Sequence, residues 1–328
     1  MTRKLRVPAL LLGAVFLATA CSSGTSPSPS APPASSPAAS TPASSASAAP
    51  SSEAPTATPA PTPVATVPDG QLIFPGKLEI CSDIPYPPQE FFDDQGNPIG
   101  SDIEIAQEIA KRLGLAPEIE NSVFDTIILA VTGGKCDIIA SAQNITAARV
   151  AQVDMIPFFQ AGQSFVVAAG NPKNIKTQDD LCGKAIAAES GTTELDYLQG
   201  TGDYKDQGLS AACTKGGKTA INIKTFAKDS DALLALQSGQ VDSYFADSPV
   251  AGYYTVQHPD QFALSGLTLD VALEGLSVNK TNTGLRDAVQ AALVSMINDG
   301  TYASILKKYG VDSGAITADV AMQLNKTK

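Results

Sequence analysis

The chain has 328 residues, 43% of them hydrophobic, with 33 acidic against 22 basic residues and a formal charge of −11. That balance excludes nucleic acid as a natural partner, because binding to a phosphate backbone is carried by clustered Lys and Arg. A metal centre needs clustered His, Cys or carboxylate spacing and more than the single His258, which precedes Pro259 and Asp260 as a surface turn; no metal and no cofactor are expected.

Arg3, Lys4 and Arg6 precede an apolar run over residues 7–16, and the small residues Ala18, Thr19 and Ala20 follow it. This is the pattern of an export signal, assigned to residues 1–20. The run is shorter than the roughly 20 apolar residues of a membrane span. Leu17-Ala18-Thr19-Ala20-Cys21 resembles the lipobox of bacterial lipoproteins, with Ala18 where that motif usually has leucine. The resemblance implies a diacylated Cys21 that anchors the protein to the outer face of the cell membrane; simple secretion with Cys21 removed is the alternative. Residues 22–68 are almost entirely Ser, Pro, Ala and Thr, with Glu53 their one charged residue. Such a composition cannot bury a core, and proline favours extended conformations, so residues 21–70 read as a lipidated cysteine and a disordered, semi-rigid tether.

Residues 71–328 are enough for one large domain or two modest ones. Cys81, Cys136, Cys182 and Cys213 lie here, and in an exported chain an even set normally pairs. Three pairings exist. Cys81 lies in the strand pattern Leu78-Glu79-Ile80-Cys81 and Cys136 opens another, Cys136-Asp137-Ile138-Ile139-Ala140; if those strands are neighbours a bridge between them is allowed, and Cys182 would then pair with Cys213. Ile105, Ala106, Ile109, Ala110 and Leu113 share one face of a helix predicted over residues 102–113, closed by Gly114. A second amphipathic helix opens at Asp229-Ser230-Asp231, runs through Leu233 and Leu236, and closes at Gly239. Strands alternating with helices argue for parallel sheets with covering helices. An internal echo supports two similar halves: Ala130 to Asp137 (AVTGGKCD) recurs as Ala235 to Asp242 (ALQSGQVD), each reading helix end, glycine turn, strand. The strand ends, Ser141-Ala142 and Ala246-Asp247, are equivalent by the same offset and would meet at one cleft, since ligands bind outside the carboxyl ends of parallel strands.

Several segments in order and register carry a family resemblance: Asp83-Ile84-Pro85-Tyr86-Pro87-Pro88, Gly100-Ser101-Asp102-Ile103-Glu104-Ile105-Ala106, Gly134-Lys135-Cys136-Asp137, Asn144-Ile145-Thr146-Ala147-Ala148-Arg149, Ser190-Gly191-Thr192-Thr193 and Ala246-Asp247-Ser248-Pro249. Leu285 to Val289 and Asn298 to Tyr302 match as well. The chain resembles the family 3 extracellular solute-binding proteins, the polar amino-acid receptors of ABC importers. The resemblance implies an α/β, periplasmic-binding-protein-like type II fold: two α/β lobes, residues 71–164 with 277–328 and residues 165–276, joined by a two-stranded hinge near 163–167 and 276–278. It implies a monomer that closes around an amino acid and presents it to a transporter permease.

Residue chemistry fits that role. Arg149 suits the ligand carboxylate, because guanidinium grips carboxylate through two parallel charged hydrogen bonds; a surface arginine near a helix start is the plain alternative. The resemblance implies that Asn144 helps through its backbone N–H, and that Thr193, behind the Ser190-Gly191-Thr192 turn into a helix, reaches the same carboxylate from the other lobe. Asp247, ending an apolar strand, needs a cation, which the ligand ammonium would supply; otherwise it is a helix cap. Ser141 would add an acceptor to that ammonium. The resemblance places Tyr86 and Phe124 as walls of the side-chain pocket, with core filling as the alternative, and Asp83, Asp102 and Glu189 at positions that can face the ligand side chain; three carboxylates there favour a basic amino acid, or an amide-bearing one behind it. A sensor without transport is a rival; it would be expected to continue into a transmembrane or signalling segment. A cyclohexadienyl-dehydratase-like enzyme with Glu189 as acid is the other rival, though no nucleophile with its base is visible.

Overall fold

The computed structural model describes residues 63–327. The expected export signal, Cys21 and most of the tether lie outside them. The chain engages the globular domain earlier than residue 70: the Val64 N–H donates to the Arg112 carbonyl (2.9 Å), and Ala65 and Val67 pack on the core.

The first lobe begins with β1 (Lys77–Ser82), a short hairpin of β2 (Phe91–Phe92) and β3 (Pro98–Ile99), α1 (Ser101–Arg112), β4 (Ala116–Asn121), α2 (Ile127–Thr132), β5 (Ile138–Ile139) and α3 (Ala147–Val150). The long strand β6 (Val153–Ala168) leads to the second lobe: β7 (Ala185–Glu189), α4 (Thr193–Gln199), α5 (Leu209–Lys215), β8 (Asn222–Phe226), α6 (Asp229–Gln237), β9 (Ser243–Asp247) and α7 (Ser248–Gln257). The equally long β10 (Phe262–Asn279) returns to the first lobe, which α8 (Thr283–Asp299), α9 (Thr301–Lys308) and α10 (Ala318–Ala321) complete.

The strands hydrogen-bond in the order β4-β1-β5-β10-β6-β9-β7-β8. Each end is parallel, β4-β1-β5 and β9-β7-β8, as helical crossovers require, and the antiparallel pair β6-β10 joins them. Both faces of the second lobe's sheet are covered, and alternate residues go to opposite cores: Phe165, Val167 and Phe245 to one, Val166, Tyr244 and Ala246 to the other. Phe165 and Phe245 stack at 3.9 Å between ring centroids. On α1, Ile105, Ala106, Ile109 and Ala110 are fully buried, and Gly114 just beyond takes a φ of 71°, a conformation glycine adopts without steric cost.

The echo is a repeated structural device. Lys135 N–H bonds the Ala130 carbonyl and Gln240 N–H bonds the Ala235 carbonyl across the two glycine turns. Asp137 then accepts the Glu79 N–H at β1 (2.8 Å), and Asp242 accepts the Ala185 N–H at β7 (2.9 Å). Each aspartate pins its incoming strand to the neighbour beside it.

Both bridges of the disulfide reading are present, Cys81–Cys136 with Cα atoms 5.8 Å apart and Cys182–Cys213 at 5.5 Å. The first joins β1 to the chain entering β5, its paired neighbour. The expected hinge positions fall in the right strands but do not face one another: Gln163 pairs with Leu269, while Leu276 pairs with Ile156 and Val278 also with Ile138 of β5.

Candidate functional site

The carboxyl ends of β1, β5, β7 and β9 converge on a tight cavity lined by residues of both lobes. From the first lobe come Asp83, Pro85, Tyr86, Glu90, Phe124, Ala142, Asn144 and Arg149; from the second, Glu189, Thr192, Thr193, Glu194 and Asp247. The lobes meet directly around it. Tyr86 Oη donates to Asp247 Oδ2 and accepts from the Asp247 N–H, both at 3.0 Å. Asn144 Nδ2 donates to Thr193 Oγ1 (2.9 Å), and the Ala147 N–H at the start of α3 donates to Asp203 Oδ2 (2.8 Å).

Arg149 is aimed by its surroundings. Thr146 caps α3 by accepting the Arg149 N–H, and the guanidinium lies 5.3 Å from the centroid of the Phe124 ring. Nη1 donates to the Asn144 carbonyl (2.8 Å) and Nη2 to the Gly191 carbonyl (3.0 Å), so one cation touches backbone of both lobes. A guanidinium carries five N–H donors, which leaves part of the fork for a ligand.

Against this single lining cation stand Asp83, Glu90, Glu189, Glu194 and Asp247, all buried. Glu90 Oε2, Glu189 Oε1, Glu194 Oε1 and Asp247 Oδ1 receive no donor among the described residues. Desolvation therefore sets their protonation. Burial, reinforced by Asp229 and Asp83, pushes the Glu189 carboxyl up to about 10. Burial also raises Asp247 and Glu90 well above the usual carboxylate range, with Glu194 adding repulsion at Asp247 and Asp102 at Glu90. Burial lowers the Arg149 guanidinium, while Glu194 and Asp247 hold it charged. Burial disfavours the charged form of each of these acids, a cost that a cation placed among them offsets.

Of the residues singled out in the sequence, Asp83, Tyr86, Phe124, Asn144, Arg149, Glu189, Thr193 and Asp247 come together on the cavity wall. Asp102 and Ser141 do not; they stand behind it. Asp102 accepts the Ala142 N–H (2.9 Å) and fixes the turn after β5, and burial raises its carboxyl to about 7. Ser141 accepts the Asp83 backbone N–H (2.9 Å) and donates to Glu90 Oε1 (2.8 Å), so its hydroxyl ties the end of β1 to a lining carboxylate. Sequence reasoning missed Glu90 and Glu194. Glu90 lies four residues past Tyr86 in a loop with no periodicity, and Glu194 reads as an ordinary acid in a helix's first turn.

The chain is similar to known amino-acid-binding proteins. The chain is 26% identical over 239 residues to the L-cystine-binding protein TcyJ of Escherichia coli K12, covering 72% of this chain and 84% of that one. It is 28% identical over 258 residues to the arginine-binding protein ArgT of Corynebacterium glutamicum, covering 79% and 82%. A solved ancestral arginine-binding protein bound to arginine superposes with a TM-score of 0.64 at 34% identity, covering 71% of this chain and 98% of that one. The model of the bacterial extracellular solute-binding proteins, family 3, matches residues 78–312, and the chain belongs to that family.

Proposed function

We propose that this protein is the substrate-binding lipoprotein of an ABC importer and binds a basic amino acid between its lobes, an amide-bearing one more weakly. It is exported, held on the outer face of the membrane through Cys21 and the tether, and hands its ligand to a permease as a monomer. The observation that carries the reading is one buried arginine facing several buried acids that receive no donor. The free amino acid's carboxylate takes the remaining N–H groups of Arg149 and the backbone N–H of Thr193. Its ammonium lies against Asp247 and Tyr86, and a cationic side chain over Phe124 reaches Glu189 and Asp83. Arginine-binding relatives with the same lobes support the side-chain assignment. Because the carboxylate site draws on both lobes, the ligand stabilises the closed form, and the permease reads that closure.

The lining acids hold the ligand rather than perform chemistry on it. Elimination from prephenate or arogenate by the purified protein would overturn that statement. A thermal-shift screen of the twenty amino acids tests the reading as a whole. At 100 times its dissociation constant a true ligand adds about 2.7 kcal/mol of stability. Arginine or lysine should give the largest shift, and a flat response to every amino acid contradicts the proposal.

A further inference from the structure

Thr193 Oγ1 is a three-way node on the cavity wall. It accepts from Asn144 Nδ2 of the first lobe and from Gln163 Nε2 of β6, each at 2.9 Å, and donates to Glu194 Oε2 at 3.2 Å. Asn144, Gln163, Thr193 and Glu194 are each no more than 4% exposed. A hydroxyl has two lone pairs and one hydrogen, and here all three are engaged by the protein. The hydroxyl therefore joins the lobes to each other, and a ligand carboxylate at this position meets the backbone N–H of Thr193 instead.

The node's two donors differ in how they would behave when the lobes separate. Gln163 pairs through its backbone with Asp247 of β9, so it travels with the second lobe and its bond to Thr193 persists. Asn144 bridges through its backbone to Glu274 and follows β5, so its bond to Thr193 is made only on closure. We infer that Gln163 is a positioning residue that presets the Thr193 hydroxyl as the catch for Asn144, a latch that closes the lobes without any contribution from the ligand. With one lone pair held by Gln163, the other faces the first lobe, and Asn144 arrives on an acceptor whose rotamer is already fixed.

The test is a double-mutant cycle on the full chain with Gln163→Met and Asn144→Ala, read in two ways. In ligand-free protein, small-angle X-ray scattering should show a smaller compact population in either single variant than in the parent. With L-arginine as probe, stopped-flow kinetics should show dissociation faster by about three- to tenfold in either single variant, the worth of one buried neutral hydrogen bond, with little change in association. In the Asn144→Ala background, adding Gln163→Met should change neither readout further, because the catch has lost its bolt. Full additivity of the two substitutions, or scattering curves identical to the parent's, overturns the latch. Gln163→Leu serves if Gln163→Met fails to fold. Should L-arginine not bind, the ligand assignment fails while the scattering arm still decides the latch.

Discussion

Glu189 is 6% exposed and one of its carboxyl oxygens receives no donor, so burial moves its ionisation from 4.5 to about 10. Asp229 behind it, also pushed up chiefly by burial, titrates at about 8. In the unfolded chain both ionise near their ordinary values; between those values and the raised ones the folded, ligand-free protein holds protons that the unfolded chain has released. Its stability is therefore full below about pH 4 and falls as pH rises toward the folded values. The melting temperature of ligand-free protein should be higher at pH 5.5 than at pH 8.5, measured by calorimetry in matched ionic strength; the reverse trend would remove Glu189 as a buried neutral acid. Binding has the opposite sign, since a basic side chain requires the ionised carboxylate. Affinity for arginine should strengthen with pH by up to about tenfold per unit over this window, and Glu189→Gln should flatten the profile. At this scale sequence reasoning found most of the wall through the family resemblance, with Asp247 alone also marked by the cost of a carboxylate at the end of an apolar strand. It missed Glu90 and Glu194 and placed Asp102 and Ser141 on the wall, because whether a polar side chain faces a cavity or the turn behind it depends on a rotation that spacing does not encode.

At the scale of elements, the helix over 101–112 and the helix–glycine–strand echo were legible from periodicity alone, since an apolar stripe and a left-handed glycine leave direct marks. The hinge was legible only as a pair of strands, because register between β6 and β10 depends on bulges that no local pattern announces. The turn before α4 illustrates what elements require of each other. Gly191 has a φ of 79°, and a Cβ built on it would lie 2.8 Å from the Asp125 Cα in the facing lobe. Gly191→Ala should leave the second lobe folded yet hold the lobes apart, weakening arginine binding by at least about tenfold in a titration, the equivalent of 1.4 kcal/mol. Unchanged affinity would mean that the lobes close differently. The Cys182–Cys213 bridge ties α5 to the strand side of the same lobe over 31 residues. By loop-closure entropy Cys182→Ser with Cys213→Ser should cost about 3–4 kcal/mol in denaturant unfolding, a loss an intact lobe with no change in midpoint would rule out.

For the whole molecule, two lobes bring one cation and several acids to a shared cavity, and closure makes contacts that neither lobe has alone: Tyr86 with Asp247, Asn144 with Thr193, Arg149 with the Gly191 carbonyl. In the proposed reading, a ligand with an anion at one end and cations at the other adds its own pairing beside these contacts, its carboxylate at Arg149 and its cations at Asp247 and Glu189. Calorimetric titration of L-arginine into the protein and into its Arg149→Ala variant is the most direct measurement of that claim. One-to-one binding should be seen in the parent, weakened in the variant by at least about 30-fold, the lower end of the cost of truncating a buried charge pair. Binding of equal strength in the two proteins, or none in the parent, would contradict it.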